Sequence, residues 1–476
     1  MPPSHVKEKG ETTSKPNLIL ISLDTLRADR LSVYGYSRNT SPHLEELSRE
    51  SVTFENFYYN GGGTLPSHMS MMTSLHPHVH GVLDNEKILE PERVTLAEVL
   101  RSDGYTTAAF TDAGWMKGKF GFHQGFDLYD DEGGRFATIM PKVLDWIREH
   151  EREEFFLFVH SYDVHSEWGK LPYSCPYSQA ARYVSEPVPD FDGCRDGKCA
   201  SKLLKWINTQ TKNDAAGADN ILSPDEVEYI SDLYDGCINY ADKRVAELLT
   251  LLKELKIYDE TMIVITSDHG EEFFEHGYFL HDQGGYETVS HIPLILKFPF
   301  QEHAGTRVDS LGSLVDLMPT VLDILNLDTP VDAQGVSLKG ATQEGFLPRE
   351  DVVMVKNLRT DDWKFILRKQ ELYDIKEDSG EVNNLASAKP DVVKSLTHRL
   401  KLISKEHRRA VSEFREKRSP MTDKNQCLSP KTKLSSLKPW DTYEELFTLL
   451  ATKETEPAEA DGSALVIARS WDPDAG

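Results

Sequence analysis

Four short stretches of this chain carry side chains that could do chemistry together. Thr64-Leu65-Pro66-Ser67-His68 follows three glycines, Gly61 to Gly63. A hydroxyl placed after flexible backbone, just before a proline able to open a helix, is well sited as an exposed nucleophile. The free N–H groups of such a helix start attract an anion. Asp24 ends the apolar run 18–23, His160-Ser161-Tyr162-Asp163-Val164-His165 follows the run 155–159, and Ser267-Asp268-His269-Gly270 follows the run 261–266. Each is ordinary alone. A Gly-rich loop commonly just caps a helix, an Asp after a strand commonly caps a turn, and a lone His is commonly a hydrogen-bonded structural group. Metal-capable or acid/base side chains at the ends of three strands are harder to assign to chance.

The elements that must position them are legible as periodicities. Residues 17–22 form a continuous apolar strand of the kind buried on both faces in a parallel sheet. Residues 52–57, 105–111, 155–159, 261–266 and 292–296 read as further strands. Helical spacing appears over 42–51, 95–101, 140–149 and 314–325, and after Pro66, with Met69, Met72 and Leu75 on one face. Ser223-Pro224-Asp225-Glu226 is a capping box with proline at the first helical position, opening a long helix through Leu255. Strands alternating with helices predict an α/β domain with a mainly parallel sheet over residues 16–345, carrying a polar, irregular insertion at about 166–222. Residues 346–410 read as a small C-terminal subdomain, with antiparallel strands at 352–355, 363–367 and 371–373 and a helix at 391–403. Residues 1–15 read as a disordered tail. Residues 411–476 read as a charged, partly disordered tail with one helix at 440–450.

Bulk properties narrow the partners. The chain has 476 residues and a formal net charge of −25. That charge argues against nucleic acid and against an anionic membrane surface. It also requires a local positive feature, such as a metal ion or a His/Lys cluster, for any anionic ester substrate. No apolar run is long enough to span a membrane, and the polar N-terminus contains no signal-peptide core. As written, the chain is expected in the cytoplasm, with export from a longer precursor left open; nothing speaks to oligomeric state. Of five cysteines, Cys175, Cys194 and Cys199 cluster in a Pro/Gly/Asp-rich stretch. Thiols or one local disulfide, without a catalytic part, fit best.

The chain resembles the sulfatases of the alkaline phosphatase superfamily over roughly residues 17–400. The matching blocks are the strand ending at Asp24, the Thr64 loop with Thr73-Ser74-Leu75-His76-Pro77 and His80-Gly81-Val82, and Phe158-Val159-His160 with Asp163-Val164-His165. Ser267-Asp268-His269-Gly270-Glu271, Glu275-His276-Gly277, Ile292-Pro293-Leu294, Asp316-Leu317-Met318-Pro319-Thr320 and Glu371-Leu372-Tyr373-Asp374 with Asn383-Asn384-Leu385 follow in the family's order. The departures bear on chemistry. Sulfatases carry Cys or Ser where this chain has Thr64, and oxidise it to formylglycine. Threonine, a secondary alcohol, would give a ketone, so no formylglycine is expected. Arg is replaced by His68, and the family's second Asp by Thr25. The pairing of Thr64 with Asp268-His269 resembles phosphotransferases and phosphodiesterases of the superfamily.

This resemblance implies one divalent metal held by Asp24, Asp268 and His269, with the Thr64 hydroxyl completing the set. Carboxylates plus an imidazole favour Mn²⁺ or Zn²⁺, with Ca²⁺ or Mg²⁺ as alternatives. Metal coordination can lower the pKa of bound water from about 15.7 to about 7, and a bound threonine hydroxyl would follow. Thr64 is then expected to attack phosphorus in a phosphodiester, phosphonate or phosphate monoester and form a covalent phospho-threonine. By family position, His165 and His281 bind the anionic oxygens or protonate the leaving group. His68 holds or polarises Thr64, and His160 and His276 serve as supporting groups, His160 also near the substrate. Two other functions compete: a sulfuric ester hydrolase acting without formylglycine, and a non-catalytic binding protein on a sulfatase scaffold.

Overall fold

The most apolar runs of the chain become the middle of one eight-stranded sheet. The structure is a computed structural model. It describes residues 15–418 apart from 85, 168, 174, 190, 192–193, 196–197, 214–220, 282–284, 344 and 347. In chain order the strands are β1 (Asn17–Leu23), β2 (Val52–Tyr58), β3 (Thr106–Phe110), β4 (Leu128–Asp130), β5 (Phe155–Ser161), β6 (Thr261–Thr266), β7 (Leu294–Lys297) and β8 (Arg307–Ser313). Across the sheet they run β8-β2-β7-β6-β1-β5-β3-β4. All neighbours are parallel except β7, which is antiparallel to both β2 and β6. Every residue of β1, β5 and β6 is buried, which is why these segments read as unbroken apolar runs and not as alternating ones.

The sheet separates two cores. Ile19, Ile21 and Leu23 face one side with Leu157, Val159, Ile263 and Ile265, against helices Arg135–Glu149 and Pro224–Leu255. Leu18 and Leu20 face the other with Phe156, Phe158, Met262 and Val264, against Met69 and Met72 of helix Thr64–Thr73 and Leu96 and Leu100 of helix Leu96–Ser102. The alternation follows from the two-residue period of a strand. The capping box forms as the sequence predicts. Ser223 Oγ accepts the Glu226 N–H at 3.3 Å, and Glu226 accepts the Ser223 N–H at 2.8 Å.

Register sets the site. Ser22 lies beside His160 on β5 and beside Thr266 on β6. The residues that follow these three positions therefore leave the sheet together at its carboxyl edge. A second sheet, β9 (Asp351–Met354), β10 (Asn357–Thr360), β11 (Trp363–Ile366) and β12 (Glu371–Asp374), is antiparallel throughout and precedes helix Pro390–Arg418.

Several elements differ from the sequence expectation. β8 joins the large sheet although Arg307, Asp309 and Ser310 break its apolar pattern, because it is an edge strand paired on one side. β10 adds a fourth strand to the C-terminal sheet, where Asn357 and Arg359 masked the strand signal. The C-terminal helix runs on to Arg418, past both 403 and 411. The stretch 166–222 contains helix Ser201–Asn213, whose Leu203, Leu204 and Ile207 join the core. Two disulfides form where at most one was expected. Cys175–Cys237 ties that stretch to the long helix, and Cys194–Cys199 closes a short hairpin. The expected tails over 1–14 and 419–476, with the helix at 440–450, lie outside the described residues. Among the described residues no helix is long and apolar enough to cross a membrane.

Candidate active site

Thr64 owes its place to backbone that only glycine takes up easily. Gly61, Gly62 and Gly63 all have positive φ, at 93°, 97° and 78°. Gly63 caps the helix with φ 78° and ψ −167°, a region that is essentially glycine-only. A Cβ on Gly61 would fall 2.7 Å from Val355 Cγ2, and one on Gly62 would fall 2.9 Å from Pro66 Cβ. The loop thus turns sharply and delivers Thr64 as the first residue of helix Thr64–Thr73, all of which is buried. Thr64 itself is 6% exposed, so its hydroxyl sits at the bottom of the site.

Opposite this hydroxyl, Asp24, Asp268 and His269 converge. One ligand atom from each lies within 4.8 Å of the others. Asp268 spends Oδ1 on the backbone N–H groups of Thr25 at 3.2 Å and of His269 at 2.9 Å. That turns Oδ2 inward. His269 donates Nδ1–H to the Gly270 carbonyl at 3.0 Å, which leaves Nε2 as a lone pair, 3.2 Å from Asp268 Oδ2 and 3.4 Å from Thr64 Oγ. Asp24 Oδ1 and Asp268 Oδ2 have no hydrogen-bond partner although buried. Three electron-rich atoms therefore face one another with only the Thr64 proton among them. Burial and the neighbouring Asp268 hold the Asp24 carboxyl well above the usual range. Asp268, buried as well, is held low by His269 and His68. A divalent cation resolves this conflict, since it accepts every one of these lone pairs. The donor set fits such an ion.

The remaining histidines divide into two groups. His68 is fully buried and donates Nδ1–H to the Thr64 carbonyl at 2.9 Å, while Nε2 meets Ser22 Oγ at 2.8 Å. It holds Thr64 through the backbone carbonyl, one of the two parts expected of it. His160 is also fully buried, within β5. Its Nδ1 accepts the Asp112 N–H at 3.4 Å, so the proton lies on Nε2, 3.3 Å from Asp24 Oδ2. It orients Asp24 from beneath; the substrate-binding part expected of it is not compatible with this burial. Asp24, His68 and His160 also approach one another closely, but their ring nitrogens are already engaged. His276 is tied to Glu272 at 2.9 Å and to the Gly380 carbonyl at 3.2 Å, at the tip of a hairpin away from the metal set.

His165 and His281 lie at the mouth. His281 is 4.4 Å from His269 and 5.2 Å from His165, ring centre to ring centre. His165 donates Nδ1–H to the Ser166 carbonyl at 2.7 Å, and burial together with His281 pulls its pKa well down. Ser22 and Glu271 were not singled out from sequence. Ser22 donates its hydroxyl to His68 Nε2 at 2.8 Å, and Glu271 meets His281 Nδ1 at 3.0 Å. Glu271 directly follows the Asp268-His269-Gly270 block, and that adjacency was the available signal.

A polar pocket of lone pairs at the carboxyl edge of a parallel sheet, floored by a helix start and rimmed by two imidazoles, defines an ester-bond hydrolase. The family model described as "Sulfatase" matches residues 16–327, and the chain belongs to the sulfatase family. The model for the N-sulphoglucosamine sulphohydrolase C-terminal region matches residues 274–406. The chain is 25% identical over 453 residues to arylsulfatase K of Bos taurus, covering 82% of this chain and 81% of that one. It is 25% identical over 468 residues to N-acetylglucosamine-6-O-sulfatase of Bacteroides thetaiotaomicron, covering 79% and 83%. A solved structure in complex with its substrate D-glucosamine-2-N,6-O-disulfate aligns with TM-score 0.66 and 21% identity, covering 83% and 98%. The phosphonate monoester hydrolase of Agrobacterium radiobacter aligns with TM-score 0.65 and 19% identity, covering 83% and 96%; at that identity the likeness speaks to the fold. These relatives overturn the expectation of phosphoryl transfer through a covalent Thr64 ester. It rested on one residue type, whereas the relatives matched along most of the chain carry the names of sulfatases.

Proposed function

We propose that this chain hydrolyses sulfate esters of small anionic substrates, with a sulfated sugar as the substrate class. The observation that carries the reading is the convergence of Asp24, Asp268 and His269 on Thr64 in a chain of this family. Asp24, Asp268, His269 and the Thr64 hydroxyl would hold one divalent cation. The mixed oxygen and nitrogen set suits Mn²⁺ or Zn²⁺. Such an ion supplies positive charge against the sulfate oxygens.

The chain's own residues supply the rest. Thr64 cannot become formylglycine, so the reaction runs without that group. The first N–H groups of helix Thr64–Thr73 point toward the anion. Water attacks sulfur, the S–O ester bond breaks, and the products are sulfate and the free alcohol. His165 takes the proton from the attacking water. Its Nδ1–H is committed to Ser166, and burial keeps the ring neutral, with Nε2 as the acceptor. General-base help of this kind is typically worth about 10²–10⁴-fold.

The test uses the full chain with Mn²⁺, Zn²⁺ or Ca²⁺, offered glucosamine 6-sulfate and p-nitrophenyl sulfate in ¹⁸O-labelled water. The expected result is free sulfate carrying the label, with turnover falling on the order of 10²-fold or more in His165→Ala. Turnover confined to phosphonate or phosphate esters would overturn the reading. A sulfate adduct on Thr64 by mass spectrometry would overturn direct attack by water.

A further inference from the structure

We propose that a second cavity binds a small doubly charged oxyanion, sulfate or phosphate, between the loop at His76 and the C-terminal helix. It lies past the C-terminal end of helix Thr64–Thr73, the length of that helix, about 15 Å, from Thr64. The inference is independent of the reaction proposed above.

The cavity has a volume of about 180 Å³. A water takes up about 30 Å³ in the liquid, so a five-atom ion fits. His76 reaches it from the loop after helix Thr64–Thr73, and Arg349 from the segment before β9. Asp351 comes from β9, and Arg399, Glu406 and His407 come from helix Pro390–Arg418. The His76 and His407 rings stack with centres 4.5 Å apart and planes at 31°. Each residue is only 8% exposed, and among the described residues no hydrogen bond reaches a nitrogen of either ring. Gln334, also on the wall, spends Oε1 on the His76 N–H at 2.9 Å, so its amide nitrogen is left to donate. Arg349 gives Nη2 to Asp316, and its buried Nε has no hydrogen-bond partner. The neighbouring acceptors are already taken. Arg399 covers both oxygens of Asp351, at 2.5 Å and 3.4 Å. Asp316 accepts the Ser313 and Val336 N–H groups, each at 2.8 Å.

This is the reverse of the metal set. There, lone pairs face lone pairs; here, basic groups and donors face one another. The groups whose charge acts on the His76 ring are His407, Arg349, His80 and His78, all of them basic. Burial and these neighbours hold its pKa well down, and burial with His78 holds His407 at about 4. Two stacked, buried imidazoles beside an arginine take up protons only when an anion offsets the charge. A tetrahedral oxyanion supplies that charge and accepts charge-assisted hydrogen bonds from the rings, Arg349 and Gln334. A metal cation would be repelled by Arg349 and Arg399. Of the other titratable groups, His80 is engaged by Ser70 and the Pro66 carbonyl, and Asp351 and Asp316 are paired with arginines. Glu406 is exposed, where solvent screens its charge. Binding therefore takes up protons, and affinity rises as pH falls. Once bound, the anion ties the C-terminal helix to the loop that ends helix Thr64–Thr73.

The experiment titrates the full chain, carrying ¹⁵N-labelled histidine, with sodium sulfate and separately with sodium phosphate, against sodium chloride at equal ionic strength. The ring resonances of His76 and His407 are those absent from His76→Phe and His407→Phe, which keep a stacked ring and remove the donors. The expected result is a saturable shift of both rings toward the protonated form, with tighter binding at about pH 6 than at about pH 8. In His407→Phe the affinity read at His76 is expected to be about 10–100-fold weaker. The resonances of His165 and His281 report entry of the same anion at the catalytic mouth, so the two sites are read apart. Shifts confined to His165 and His281, no saturable shift with either anion, or the same shift with chloride overturn the proposal. Should the phenylalanine variants not fold, Arg399→Gln uncovers Asp351 beside the cavity. Sulfate must then raise the melting temperature of wild type more than that of Arg399→Gln, and equal rises overturn the proposal. The titration uses no turnover, so failure of the sulfate-ester reading leaves its outcome intact.

Discussion

Asp268 shows how one carboxylate can be given two tasks. One oxygen is saturated by backbone N–H groups, and the other is left bare toward Asp24 and His269. Asp268→Asn keeps an acceptor for those N–H groups but places a neutral, weaker donor where the cation is held. Metal content after dialysis, measured by elemental analysis, is expected to fall from about one ion per chain to well under one. Activity should fall by more than the 10–100-fold typical of groups that only support a ligand. Retained metal at full occupancy would show that the ion is held elsewhere. His68 and His160 teach a related lesson. Both are fully buried, and that burial places them behind Thr64 and Asp24 and not in front.

At the scale of elements, the site is a meeting of three strand ends and one helix start. The strand ends are fixed in relation to one another by the ladder Ser22–His160 and Ser22–Thr266. The helix start is fixed by the turn at Gly63. Gly63→Ala would force a Cβ into a conformation that costs on the order of 1–3 kcal/mol, although no atom lies within 4 Å of where that Cβ would sit. The expected outcome is a lower urea midpoint and a loss of turnover larger than the loss of metal, because Thr64 is moved while Asp24, Asp268 and His269 are not. Unchanged turnover would show that the loop tolerates another path. The hairpin 271–281 is the fifth contributor, and its short strands explain why periodicity did not reveal it.

At the scale of the molecule, a buried charged network joins the short helix Glu287–Ser290 to the C-terminal sheet. Lys364 on β11 contacts Glu287 at 2.8 Å, and Glu381 accepts the Glu287 N–H at 2.6 Å. Burial pushes the Glu381 carboxyl up to about 7, against the pull of Lys364. The consequence for stability has a definite sign. Below the unfolded value of about 4.5, Glu381 is protonated in both states. As pH rises toward about 7, the unfolded chain ionises first, so stability falls across that window, by on the order of 3 kcal/mol. Glu381→Gln cannot ionise and should therefore melt higher than wild type at pH 8, with the difference shrinking toward pH 4.5. A difference independent of pH, measured by thermal melts at the two ends, would refute this origin.

Much of this protein was legible in its amino-acid order. Unbroken apolar runs at 17–22, 155–159 and 261–266 read as buried strands, and the polar residues ending them mark an edge. The Ser223–Glu226 cap and the long helix behind it are local chemistry, set by neighbours in sequence. The family, too, is written in the order of its short blocks. The tertiary structure decided which face each group turns. Strand register brought Asp24, Asp268 and His269 within reach of Thr64, and burial set His68 and His160 behind the site. Cross-strand pairing put Glu271 on His281, and the pairing of Cys175 with Cys237 bound an apparently loose stretch to the core. These contacts join residues that are distant along the chain or carried on strands only two residues long. Composition and periodicity describe segments, and the distances between segments are fixed only when they pack.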